Sequence, residues 1–135
     1  MTARQPESRD RDLLVDVFDS LLPKVSDHPR AAAHRLHGEP HQGNRLVTPA
    51  GVVWVDLESC CAGPREWDFA IFDSTATDDR PDVDRALLHD LRVLNAARFA
   101  TWQTRLMDRF PDLRELADVH LAFVRTTWAI PRSDR

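Results

Sequence analysis

His37-Gly38-Glu39-Pro40-His41-Gln42-Gly43-Asn44 is the stretch that decides the fold. Gly38, Pro40 and Gly43 break any continuous helix through it, so it reads as a loop. The loop carries an acid, Glu39, and an amide, Asn44, five positions apart. Twelve residues beyond Asn44, the segment Asp56-Leu57-Glu58 follows an apolar run, Val52-Val53-Trp54-Val55. That run reads as a strand, and it places a carboxylate at its end.

The elements on either side follow from periodicity. Arg45-Leu46-Val47 and Val52–Leu57 are predicted to be two strands, joined by a turn at Thr48-Pro49-Ala50-Gly51. On the N-terminal side, Leu13, Leu14, Val17, Phe18, Leu21 and Leu22 mark one face of a helix from Asp10, with Pro23 predicted to stop it. Residues 23–30 read as a loop, and residues 31–36 as a short helical piece or turn leading into a strand. On the C-terminal side, Gly63-Pro64 opens a new element, with Trp67, Ala70, Ile71 and Ser74 at helical spacing. Thr77 to Pro81 reads as a polar link. Val83, Leu87, Leu91, Leu94, Arg98 and Trp102 carry a helical period through residues 82–110, a run long enough to predict two helices or a kink near 90–93. Phe110-Pro111 ends it. Asp112, with Glu115 three positions on, resembles a capping box at the start of a last helix through Leu116, Val119, His120, Phe123 and Val124. Residues 1–9 and 131–135 are polar ends. The expected class is α+β, mainly α, in one domain over 1–135, with a small β-hairpin that carries the two loops and packs on a helical bundle.

Composition bounds the function. The chain has 135 residues, 42% of them hydrophobic and 30% charged, enough for one core. A net charge of −4 points away from nucleic acid. No apolar run approaches the ~20 residues of a membrane span, and the N-terminus lacks the apolar core of a signal peptide, so the cytoplasm is the expected location. Cys60 and Cys61 are adjacent and have no third or fourth partner for zinc, so they read as reduced structural thiols. Lys24 is the only lysine, it does not lie on a strand, and all four glycines fall between Gly38 and Gly63.

Three motifs in order then suggest a family. Leu36-His37-Gly38-Glu39-Pro40-His41-Gln42-Gly43-Asn44, then Val55-Asp56-Leu57-Glu58, then Gly63-Pro64-Arg65-Glu66-Trp67-Asp68-Phe69-Ala70, resemble the aminoglycoside phosphotransferase and choline kinase superfamily, whose fold is protein-kinase-like. The sharp likeness covers residues 36–70. The resemblance implies transfer of the γ-phosphoryl group of ATP to a hydroxyl of a small molecule, with Mg2+. Glu39 stands where the family has the catalytic acid, and Asn44 and Asp56 stand at the metal and nucleotide positions. His41 lies where kinases carry a lysine that meets the transferred phosphate. His37 and Asp68 are implied to brace the loop. The chemistry is consistent with these roles, because magnesium prefers hard oxygen ligands and often takes only one or two from protein, and phosphoryl transfer depends on positioning and charge neutralisation.

Two departures modify the expectation. Glu39 replaces an aspartate, which moves the carboxylate by about 1 Å, a displacement that can cost ~100-fold in rate. Only 36 residues precede His37, and no glycine-rich loop or strand lysine is among them, so the chain is expected to be the C-terminal lobe alone, without the nucleotide lobe. Residues 82–130 would then form the acceptor side. The expected partners are a small hydroxyl acceptor, to which the acidic Asp78, Asp79, Asp82 and Asp84 would give a cationic bias, and either a second copy or a separate N-lobe. The rival expectation is a non-catalytic interaction module that keeps the lobe fold and associates through apolar surface around residues 46–57. His37, Glu39 and His41 do not make a zinc-protease site, because the order is not H-E-x-x-H and the loop is not helical. Glu58 could meet a second metal or pair with an arginine.

Overall fold

The computed structural model describes residues 8–71, 77 and 79–128. Ser74, Asp78 and the chain ends 1–7 and 129–135 lie outside the described residues, whereas residues 8 and 9, read as part of the polar end, open the first helix. The architecture is α+β and mainly helical. The chain divides into two compact units, residues 25–92 and residues 1–24 with 93–135.

Among the described residues, the unit of residues 25–92 carries all the strands. β1 (His34–Leu36) pairs antiparallel with β4 (Cys61–Gly63), with His34 opposite Gly63 and Leu36 opposite Cys61. β2 (Arg45–Thr48) and β3 (Gly51–Trp54) form a separate hairpin in which Arg45 faces Trp54 and Leu46 faces Val53. Its turn is closed by the Thr48 hydroxyl, which donates to the Gly51 carbonyl at 2.8 Å and accepts from the Ala50 amide at 3.2 Å. The predicted strand over Val52–Leu57 ends early, at Trp54. Val55 still donates its amide to the Asn44 carbonyl at 2.9 Å. Asp56 then turns left-handed (φ 60°, ψ 66°) and leads into a 3-10 turn at Leu57–Ser59. Aspartate tolerates that conformation better than most residues, so an extended run can stop there.

Pro64 sits at the entry to α2 (Arg65–Phe69), which ends two residues before Ile71. Asp84 caps α3 (Arg85–Leu106) by accepting the Leu87 amide at 3.0 Å. This bond holds the Asp84 carboxyl below its ordinary range, with help from His28 and Arg30. Leu36, Val83, Leu87, Leu88 and Leu91 are buried here. A charged latch joins the loop that leads into β1 to α2 and to the start of α3: Arg30 pairs with the fully buried Glu66, whose Oε1 also accepts the Asp84 amide at 2.9 Å.

The other unit is helical. α1 (Ser8–Ser26) does not stop at Pro23, as the sequence predicts, but runs through it. The ring removes only the bond to the Asp19 carbonyl, and Asp19 lies on the exposed side where water can replace it. α3 is one continuous helix rather than two, since no glycine or proline interrupts residues 85–106. α4 spans Leu113–Trp128. Leu14, Val17 and Leu21 of α1, Leu94, Ala97 and Ala100 of α3, and Ala117, Leu121, Val124 and Trp128 of α4 are buried. Asp10 takes both Arg125 Nε (2.9 Å) and Nη2 (2.6 Å), and Asp16 accepts the Trp128 indole N–H at 2.6 Å, so α1 and α4 are tied by polar bonds at the edge of that core. No helix among the described residues is long and apolar enough to cross a membrane.

Candidate functional site

The loop His37–Asn44 is built from the backbone outward. Leu36 ends β1 as a buried residue, and the chain then leaves the sheet edge at His37. Asp68 of α2 receives it: His37 N–H donates to Oδ2 and Gly38 N–H to Oδ1, each at 2.9 Å. The neighbouring Trp67 donates its indole N–H to the Gly38 carbonyl at 3.0 Å. One peptide segment is therefore gripped at both its donors and its acceptor by two consecutive side chains. Gly38 is required for this. Its φ is +92°, and a Cβ there would stand 2.2 Å from the Ser59 carbonyl oxygen.

His37 is a structural hub. Its Nε2 lies 2.9 Å from the Val55 carbonyl, and its Nδ1 lies 3.3 Å from the Glu39 amide nitrogen. A carbonyl can only accept and an amide N–H can only donate, so this pair of bonds assigns the neutral tautomer with the proton on Nε2. Both ring nitrogens are thereby committed, which argues against a metal-ligand role. The ring also leans on Trp54, with centroids 5.6 Å apart. His37 thus ties the acid-bearing loop to the end of β3, immediately before Asp56.

Asn44 ties the other end. Buried at the close of the 3-10 turn Gln42–Asn44, it donates Nδ2 to the Glu39 carbonyl at 3.0 Å, and its own carbonyl accepts from Val55. The amide nitrogen is thus directed to the protein, leaving Oδ1 as the atom that can face a cation. His41 caps the same turn: its Nδ1 accepts the Gly43 amide at 3.1 Å and its ring stays exposed. Glu39 is half-buried and Asp56 is exposed. Glu39, Asn44 and Asp56 are therefore joined through one short backbone circuit, from Glu39 O to Asn44, from Asn44 O to Val55, and on to the left-handed Asp56. Asn44 Oδ1 and the Asp56 carboxylate are hard oxygen donors of the kind magnesium takes. Among the described residues no three His, Cys, Asp or Glu side chains gather as a metal cage. The oxygen pair would need phosphates and water to complete a magnesium shell.

Glu58 stands exposed on the 3-10 turn after Asp56. Cys60 and Cys61 are free, exposed thiols. Desolvation pushes the Cys61 thiol up, with Asp68 and Cys60 adding to the shift. Sequence reasoning missed three parts of this site. They are the Trp67 indole, the 3-10 turn that ends at Ser59 against Gly38, and the Arg30–Glu66–Asp84 latch. Only the tryptophan beside Asp68 offered a signal, as a residue with one polar atom to place. No family model, no curated protein and no solved structure matches the chain.

Proposed function

We propose that the chain is a phosphotransferase-type C-terminal lobe of the aminoglycoside phosphotransferase and choline kinase kind. It would transfer the γ-phosphoryl group of ATP to a hydroxyl of a small molecule. The observation that carries this reading is the backbone circuit linking Glu39, Asn44 and Asp56, held from below by His37 and Asp68. It brings three separate sequence motifs to one place.

In this reading the Glu39 carboxylate orients the acceptor hydroxyl and takes its proton. Asn44 Oδ1 and Asp56 hold magnesium, which when bound neutralises phosphate charge. His41, on the exposed rim of the turn, offers Nε2 to a phosphate oxygen. His37 and Asp68 position the loop without touching substrate. The acidic Asp79, Asp82 and Asp84 favour a cationic acceptor. Calorimetric titration with ATP and magnesium tests the assignment. Wild type is expected to bind, and Asp56→Asn is expected to lose the magnesium-dependent part of the heat. Equal affinity for both proteins would overturn it.

A second reading rests on the hairpin. Leu46, Val47, Val52 and Val53 are each about half exposed or more and lie on both faces of a two-stranded ribbon, and Leu57 is exposed on the turn that follows it. Such a ribbon is marginal alone. A non-catalytic module that associates through it would keep the loop geometry without turnover. The two readings separate on whether the purified protein releases or transfers phosphate from ATP.

A further inference from the structure

α4 carries two apolar faces, and the core uses only one. Ala117, Leu121, Val124 and Trp128 are buried. At about 100° per residue, Leu116, Val119 and Phe123 fall on the opposite side. Their exposures are 48%, 60% and 40%. The spacing is i, i+3, i+7, which is the anchor pattern of a helix that receives another helix. Phe110, 49% exposed, extends the apolar surface just before the helix.

Beside this stripe runs an open groove of about 790 Å³, lined by Pro111, Asp112, Glu115, Asp118, Val119 and Ala122, with Arg114 on its wall. Three carboxylates against one guanidinium make the flank acidic. Isolated exposed apolar residues are ordinary on a protein surface. A continuous stripe in helical register, bordered on one side by acids, is a composite surface with a direction. A second copy of this chain is a poor occupant. A two-fold contact centred on the groove would bring its acidic flank onto the same flank of the other copy, and like charges opposed across an interface cost several kcal/mol.

We propose that the outer face of α4 is a docking groove for a basic amphipathic helix of a partner protein. Its apolar residues cover Leu116, Val119 and Phe123, and its Lys or Arg side chains meet Asp112, Glu115 and Asp118. None of the residues to which the phosphotransferase reading gives a catalytic, metal-binding or bracing role lies on this surface, so the two are tested separately.

The test is fluorescence anisotropy on the full chain with a labelled amphipathic Leu/Lys helical peptide. A peptide of the same composition in scrambled order, and spermine as competitor, serve as controls. The amphipathic peptide is expected to bind, with affinity falling as salt rises. Val119→Asp and the pair Glu115→Lys with Asp118→Lys are each expected to weaken it by ~10-fold or more. All three positions are exposed, so these variants fold, as their unchanged far-UV circular dichroism checks. Equal binding of the scrambled peptide, full displacement by spermine, or binding untouched by Val119→Asp would overturn the proposal. So would a concentration-dependent dimer of the wild type that Val119→Asp abolishes, which would assign the face to self-association.

Discussion

Asp68 Oδ2 lies 2.9 Å from the His37 amide nitrogen, thirty-one residues earlier in the chain. The other oxygen serves Gly38, so one carboxylate fixes the first turn of the loop that carries Glu39. Asp68→Asn keeps one acceptor and sets an NH2 group against an N–H. The expected loss is about 1–3 kcal/mol, since the bonds to the carboxylate are charge-assisted. Urea denaturation reads it as a lower midpoint with an unchanged slope. A midpoint equal to wild type would mean that the loop does not depend on this residue.

Gly38 and Gly51 make a matched comparison. Both have positive φ, +92° and +125°, but only Gly38 has backbone where a Cβ would go. Gly51→Ala meets open space and is expected to cost about 1–2 kcal/mol from backbone strain alone. Gly38→Ala adds a collision with the Ser59 carbonyl, which is relieved by moving the 3-10 turn Leu57–Ser59 away from the loop. It is expected to cost at least ~3 kcal/mol. Thermal unfolding of the two variants side by side checks the order, and a milder effect at Gly38 would contradict the close approach.

The contrast between these glycines shows where sequence was sufficient. The hairpin was legible because Pro49, Ala50 and Gly51 punctuate two apolar runs, and that signal is local. The loop from His37 to Asn44 was legible because its breakers forbid a helix. β4 was not legible: Cys61-Ala62-Gly63 is three residues without alternation, and its pairing with β1 is a long-range event. Pro23 misled because helix termination depends on whether water can reach the freed carbonyl, which a sequence does not state. The run 82–110 misled through its length alone. Motif spacing names Glu39, Asn44, Asp56 and Asp68 as candidates, whereas the Trp67 bond to Gly38 and the burial of Glu66 arise only once α2 is folded against the loop.

That burial supports another prediction. Glu66 is fully enclosed, its Oε1 is shared by Arg30 and the Asp84 amide, and its Oε2 has no hydrogen-bond partner. Arg30→Ala would leave a carboxylate buried with one backbone donor. The expected cost is about 3 kcal/mol, the low end for breaking a buried pair, because Arg30 itself is one-third exposed. Adding Glu66→Gln removes the stranded charge and should return part of the loss. A double-mutant cycle therefore reads a positive coupling. Strictly additive losses would show that Arg30 acts through something other than Glu66.

His120 gives the chain a pH dependence with a definite sign. Its Nδ1 donates to Gln103 Oε1 at 2.9 Å, and its ring stacks on Phe99 with centroids 5.4 Å apart. Burial lowers its pKa from 6.5, offset in part by the Leu116 backbone. The folded protein therefore resists a proton that the unfolded chain accepts. Above about 6.5 both states are neutral at this site and its stability is complete. As pH falls below that value the unfolded state binds the proton first, and stability declines until the folded His120 also titrates. His120→Gln removes the titrating group while leaving a side chain that can reach Gln103. Stability measured by urea denaturation from pH 7.5 down to about 5 should fall more steeply for wild type than for the variant. The remaining histidines are common to both proteins, so the difference between the two curves isolates this ring. Parallel curves would mean that the imidazole between Gln103 and Phe99 takes up a proton in the fold as readily as in the open chain.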